Sequence, residues 1–259
     1  MQSLPLWKSH FSIGKSILTL AKAGETDNSC PDSIFDLAES AGLKEIILVE
    51  DSISGFLEAF TNSKKSKKKL IFGLRLSVVE NMEEKTEQSL DKVCKYVIFA
   101  KDTIGYETLI KVSSLAAKNG FYYEPKIDFK NLKDVWSEHL QLAVPFYDSF
   151  IHKNVLECGA CVPDFSFTTP VFFMEDNDVP FDEILSTQVT DFCSKNKFES
   201  VKTKSIYYNL NKDFITYLTF RCINARTSLE RPELPHMCSQ EFSFESWKKQ
   251  NQISNLTPN

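Results

Sequence analysis

The stretch Tyr96-Val-Ile-Phe-Ala-Lys-Asp-Thr-Ile-Gly-Tyr-Glu-Thr-Leu-Ile-Lys-Val-Ser-Ser-Leu-Ala-Ala-Lys-Asn-Gly-Phe-Tyr-Tyr-Glu-Pro-Lys-Ile-Asp128 carries a strand signal, a helix signal and a turn in one run. Tyr96 to Ala100 is apolar without interruption, the pattern of a strand covered on both faces. Thr103 to Lys118 places Tyr106, Leu109, Ile110, Ser113 and Ala117 at helical spacing, and Asn119-Gly120 stops it. The same alternation runs upstream. Glu45 to Val49 and Leu70 to Leu74 read as buried strands. Helical patterns occupy Pro31 to Ala41, with Pro31-Asp32-Ser33 as the start and Gly42 as the stop, and Ile53 to Asn62. Strand followed by helix, repeated, predicts an α/β fold with parallel strands.

Composition narrows the classes. A chain of 259 residues with 42% hydrophobic and 25% charged residues is long enough to bury a core without disulfide or metal staples. No apolar run approaches the ~20 residues that cross a bilayer. Met1 to Lys8 lacks the charged start and long apolar stretch of a signal peptide, so the expectation is a cytoplasmic protein with no membrane partner. A net charge of -5 makes DNA at most a weak or indirect ligand. Seven scattered Cys fit a reducing compartment, and only four His leave little material for an imidazole-rich metal site. The basic run Lys64 to Lys69 reads as a solvated helix end before it reads as a phosphate contact. Cys158-Gly-Ala-Cys161 lacks the second pair that a structural zinc site requires, and single residues such as His236 and Cys238 read as loop packing.

The segment Ala100 to Asp128 resembles the polymerase-and-histidinol-phosphatase (PHP) domain of bacterial DNA polymerase III alpha subunits. There a strand ends in Ala-Lys, a helix contains Gly-Tyr and Leu-Ser-Ser, and Gly-Phe-Tyr-Tyr-x-Pro-x-Ile-Asp follows. Further segments are similar: Ser9-His10-Phe11-Ser12 to the end of an opening His-x-His-Ser-x-Tyr-Ser, Ile71 to Arg75 to Ile-Ile-Gly-Cys-Glu, and Tyr207 to Asp213 to His-Tyr-Leu-x-x-Glu-Asp. The resemblance thins between Leu156 and Glu199. It implies a distorted (β/α)7 barrel over residues 1–226. Residues 227–259 would be an extension like the segment that leads to the polymerase palm.

The resemblance also implies a phosphoesterase site in which divalent metals activate water and clamp phosphoryl oxygens. At the matching positions the chemistry is lost. Leu6 and Lys8 stand in place of the opening His-x-His. Glu50-Asp51 stands at Asp-His, Arg75 at the Glu, and Ser205 and Tyr207 at the late Asp-x-His. Lys8 and Arg75 put cations where cations would bind, and they could pair with Glu50 and Asp51 as a plug. The expectation is therefore no catalytic residue and no cofactor. A divalent metal on His10, Glu50 and Asp51, serving an active phosphoesterase, is the alternative. Non-catalytic, the domain would serve as a scaffold or binding module in DNA replication. Its partner would be a replicative polymerase core or another replisome protein. A mimic that captures a replication protein is a further alternative. Phe242, Phe244 and Trp247 are the candidate interface, with folding back onto the barrel weighed almost equally.

Overall fold

The computed structural model describes residues 2–25, 31–230 and 239–252. Within them, seven strands pair into a closed ring: β1 (Leu4–Trp7), β2 (Glu45–Glu50), β3 (Lys69–Val79), β4 (Cys94–Ala100), β6 (Leu140–Val144), β7 (Val171–Met174) and β8 (Glu199–Ile206). Pairing of β8 with β1 and of β2 with β3 closes it. A short β5 (Lys126–Asp128) lies outside the ring, parallel to the far half of β3. Around the sheet lie α1 (Ile34–Ser40), α2 (Phe56–Lys65), α3 (Thr103–Asn119), α4 (Phe129–Val135), α5 (Phe150–Leu156), α6 (Asp182–Asn196), α7 (Phe214–Ala225) and α8 (Phe244–Gln250). This is the distorted seven-strand α/β barrel that the resemblance implies.

The expectation of parallel strands needs one correction. β4 runs antiparallel to both its neighbours, β3 and β6. The eleven residues of β3 span ~36 Å. The segment that follows offers only a 3₁₀ turn at Glu87–Lys92, about 12 Å long. It provides no α-helix to pack back along the sheet as a parallel crossover usually does, and β4 returns beside β3.

Alternation along each strand makes two cores. Leu6, Val49, Val97, Phe99, Ala143 and Phe173 point into the ring and fill it. Their neighbours Trp7, Leu48, Ile98, Leu142 and Phe172 point outward into the layer beneath the helices. The helix starts follow their caps. Ser33 caps α1 through Phe35 N–H, Asp102 caps α3 through Gly105 N–H, and Ser149 caps α5 through His152 N–H. Gly42, just past α1, takes the left-handed conformation (φ +64°) expected of a stop.

The buried face of α3 is rotated from the sequence expectation. Leu109 is buried, but Ile110 and Ala117 face solvent, and Gly105, Thr108, Val112 and Ala116 make the contact. Small residues permit the close approach: a Cβ on Gly105 would lie 2.3 Å from the carbonyl oxygen of His139. The basic run is exposed at Lys64, Lys65, Lys67 and Lys69, as a solvated helix end would be, but the Lys68 side chain is buried and donates to the carbonyl of Leu43. Lys68 and Lys69 pair with Glu39 and Glu45, at 2.6 and 2.8 Å.

The candidate interface also needs correction. Phe242, Phe244 and Trp247 are buried, at 2%, 0% and 2% exposure. Phe244 packs on Trp7 with ring centroids 5.1 Å apart, and Trp247 Nε1 donates to the carbonyl of Ser3 at 2.9 Å. Phe242 stacks on Tyr207. The aromatic spacing that read as an exposed face is the inner face of α8 and its approach, covering the outside of β1 and β8. Residues 231–238, with His236 and Cys238, lie outside the described residues. Phe244→Ala and Trp247→Ala should each cost about 3–5 kcal/mol in urea-unfolding experiments, as truncation of a buried aromatic does. A loss below ~1 kcal/mol in both would return these rings to the surface.

Candidate functional site

Strand alternation decides which side chains meet at the barrel mouth. On β1 and its continuation, Leu6 points in, Trp7 out and Lys8 in. Lys8 is 4% exposed, and its Nζ donates to Asp51 Oδ1 at 2.8 Å. On β2 the same period places Val49 and Asp51 inward and Glu50 outward. Glu50 is fully buried away from the mouth, accepting from Ser9 N–H at 2.9 Å and from the Ser12 hydroxyl. The expectation that Glu50 and Asp51 could hold one ion together is thus corrected, because adjacent strand residues face opposite sides. His10 is corrected too: it is exposed, its ring against Phe11, and it approaches neither carboxylate. The alternative metal set of His10, Glu50 and Asp51 is not assembled.

Arg75 points inward from β3 and pairs with Asp148, just beyond β6. Asp148 and Glu175 are the acidic partners that the sequence reading missed. Glu175, just beyond β7, accepts from Ser205 N–H at 3.0 Å, from Ser205 Oγ at 2.8 Å and from Asn177 Nδ2 at 2.9 Å. Tyr207 covers the layer, stacked between Tyr217 and Phe242. Of the sequence candidates, the ring therefore brings together Leu6, Lys8, Asp51, Arg75, Ser205 and Tyr207.

The charges fix one another. Burial works against an ionised Asp51, but Lys8 and then Arg75 hold its carboxyl well below the usual carboxylate range. Burial likewise opposes the charge on Arg75, and Asp148 with Asp51 keeps it protonated. Burial pushes the Glu50 carboxyl up, against Lys8 and its serine donors. Lys15, beside Asp51 and Arg75, is pushed by burial down to about 8, against the pull of Asp51.

The space left is small. The cavity ringed by Lys8, Arg75, Pro145, Tyr147, Glu175, Ser205 and Tyr207 is about 40 Å³, room for a few waters at most. A neighbouring cleft of about 180 Å³ is lined by Lys15, Asp51, Arg75, Lys95 and Glu124, with Lys95 paired to Glu124 at 2.7 Å. A cluster of divalent ions does not suit this mouth. Two ammonium or guanidinium groups occupy it, and its carboxylates already accept from them or from Ser205 and Asn177.

Comparison with known proteins agrees with the geometry of the ring. Residues 27–156 match the PHP domain family. The DNA polymerase III subunit alpha of Aquifex aeolicus is 26% identical over 198 residues, 64% of this chain and 17% of that protein. The subunit of the same name from Thermus aquaticus is 25% identical over 156 residues, 56% of this chain and 12% of that protein. That of Helicobacter pylori strain 26695 is 32% identical over 96 residues, 36% and 8% of the two chains. The chain thus spans less than a fifth of the length of these relatives.

Removal of Lys8 tests the ion pair. Lys8→Met strands the Asp51 charge and should destabilise the fold at pH 7 by about 3 kcal/mol, the low end for a broken buried pair, since Asp51 keeps 32% of its side chain in solvent. Because the folded pKa of Asp51 is depressed, its stabilising contribution is present above the ordinary carboxylate pKa of ~3.9 and is lost as pH falls below it. The gap between wild type and variant, measured by urea unfolding, should shrink from pH 7 to pH 3. A gap independent of pH would disprove the charge pairing as its source.

Proposed function

The chain belongs to the PHP domain family, and from that premise we propose that it is a non-catalytic PHP domain acting as a scaffold or binding module in DNA replication. The observation that carries the proposal is the Lys8–Asp51 ion pair, 2.8 Å long, with the Arg75–Asp148 pair beside it. Metal-assisted hydrolysis needs ions that lower the pKa of a bound water and leave a position open to the phosphoryl group. Here the fixed cations of Lys8 and Arg75 take Asp51 and Asp148, Leu6 offers no ligand atom, and Ser205 donates to Glu175 instead of presenting a carboxylate. Neither cation can carry a water nucleophile.

The replication setting rests on kinship with proteins named DNA polymerase III subunit alpha. A fold that has given up its chemistry can still serve by its surface, since function belongs to sites and not to folds. On this reading the partner is a replicative polymerase core or another replisome protein, and DNA is contacted weakly or through that partner. Among the described residues, no helix is long and apolar enough to cross a membrane.

Two measurements test the proposal. With Mn²⁺ or Zn²⁺ added, the purified chain should hydrolyse neither a phosphodiester reporter nor single-stranded DNA. Hydrolysis that disappears in Glu175→Gln, with melting temperature unchanged, would establish an active site and end the non-catalytic reading. A tagged chain recovered from its native cells should bring down proteins of the replication machinery. Partners drawn solely from other processes would end the replication reading.

A further inference from the structure

The Cys-x-x-Cys motif of Cys158 and Cys161 plays no part in the mouth, and the fold gives its second cysteine a different neighbour. Cys94 opens β4, opposite Val78 in the β3–β4 ladder, with its sulfur 3.8 Å from the Val78 carbonyl oxygen. It is 2% exposed, and Cys161, in the segment after α5, is 4% exposed. The two sit in one apolar cluster, and their side chains are hydrogen-bonded to each other. Both are thiols in this structure. β4 is fixed by ladders on both sides. Residues 158–165, by contrast, form neither helix nor strand. There the backbone of Cys161 is held by one side chain: its N–H donates to Asn154 Oδ1 at 2.9 Å, and its carbonyl accepts from Asn154 Nδ2 at 2.8 Å. Cys158, three residues earlier, is exposed.

We propose that Cys94 and Cys161 are a reversible disulfide site, a redox-sensitive tie between the ring and the segment that follows α5. The side chains are already in contact, so closing the bond asks for a small shift of Cys161 and its irregular segment, not of the sheet. The two sulfurs are unequal. The hydrogen bond from Cys94, helped by the Lys153 ammonium, holds the Cys161 thiol below its ordinary pKa against the effect of burial, while the same bond and burial push Cys94 up. Cys161 is therefore the attacking sulfur and Cys94 the resolving one. The oxidant is a low-molecular-weight disulfide. The Cys161 thiolate attacks one of its sulfurs and expels the first small thiolate. Cys94 then gives up its proton, attacks the Cys161 sulfur of the mixed disulfide and expels the second. Two electrons pass from the protein pair to the small disulfide, and the two protons end on the released thiols. In a reducing compartment the pair rests as thiols, and the bond forms when oxidant rises, as intracellular disulfides usually do.

The full chain, reduced and freed of reductant, can be incubated with oxidised glutathione under native conditions and its peptides mapped without reduction. We expect a Cys94–Cys161 cross-link in the wild type and equally in Cys158→Ser, reversed by dithiothreitol. The cross-linked chain should melt at a higher temperature than the reduced one, because the bond closes a long loop of the unfolded chain. Cys94→Ala, made in the Cys158→Ser background, should stop the reaction at a glutathione adduct on Cys161. A native chain that yields no Cys94–Cys161 peptide, or yields it only in urea, would overturn the inference. So would a Cys158–Cys161 bond in its place, or a cross-linked chain that melts below the reduced one. Should Cys94→Ala fail to fold, the peptide map of the wild type decides the matter, because it reads the pairing directly.

Discussion

Closure of the seven-strand ring is the constraint on which the site depends. The β8–β1 register sets Leu6 opposite Ser205, and the β1–β2 and β2–β3 registers carry that level on through Ile47 to Ile71. Each strand then contributes every second residue to the interior. Leu6, Val49, Val97, Ala143 and Phe173 make an apolar plug, and the next inward positions meet above it. Lys8, Asp51, Arg75, Glu175 and Ser205 are neighbours for that reason, although nearly 200 residues of chain separate the first from the last. An open sheet would have spread them along an edge.

Such a layer cannot hold unmatched charge. Desolvation penalises each ion, and the attraction between partners offsets the penalty where contacts are direct and remaining lone pairs are satisfied. The mouth meets that condition with its own side chains: Lys8 on Asp51, Arg75 on Asp148, Ser205 and Asn177 on Glu175. Glu50 escapes the layer by facing outward, where Ser9 and Ser12 receive it. Its carboxyl is nonetheless pushed up, as burial without a direct counter-ion requires.

Much of this could be read from the chain. The apolar runs at Glu45, Leu70 and Tyr96 marked three of the ring's strands, because strands covered on both faces tolerate no polar interruption. The positions of Lys8, Asp51, Arg75, Ser205 and Tyr207 followed from the aligned motifs. What escaped has physical causes. The reversal of β4 follows a connection that carries a 3₁₀ turn and no crossover helix, and the strand's direction is not encoded in its periodicity. Asp148 and Glu175 lie beyond short strands, β6 and β7, which lack a long apolar run, and Glu175 falls where the family resemblance is thin. Phe242, Phe244 and Trp247 show how the same amphipathic spacing describes an exposed face and a docked one. The outer side of β1, bearing Trp7, and the segment just beyond β8, bearing Tyr208, supply the difference.

The proposed loss of catalysis also explains why the barrel can remain intact. In a metal-bound mouth, the ions keep converging carboxylates from repelling one another. Removing the ions alone would leave Asp51, Asp148 and Glu175 as mutually repelling charges with little solvent around them. Lys8 and Arg75 provide the missing positive charge from within the chain, at no dependence on the metal supply. A tethered cation is, however, a poor substitute in chemistry. It cannot exchange ligands, ionise a water or open a coordination position for a phosphoryl oxygen. On the proposed reading, the residues that balance the electrostatics of the fold are therefore the same ones that close the site. On that reading, function falls to the outer surface of the barrel.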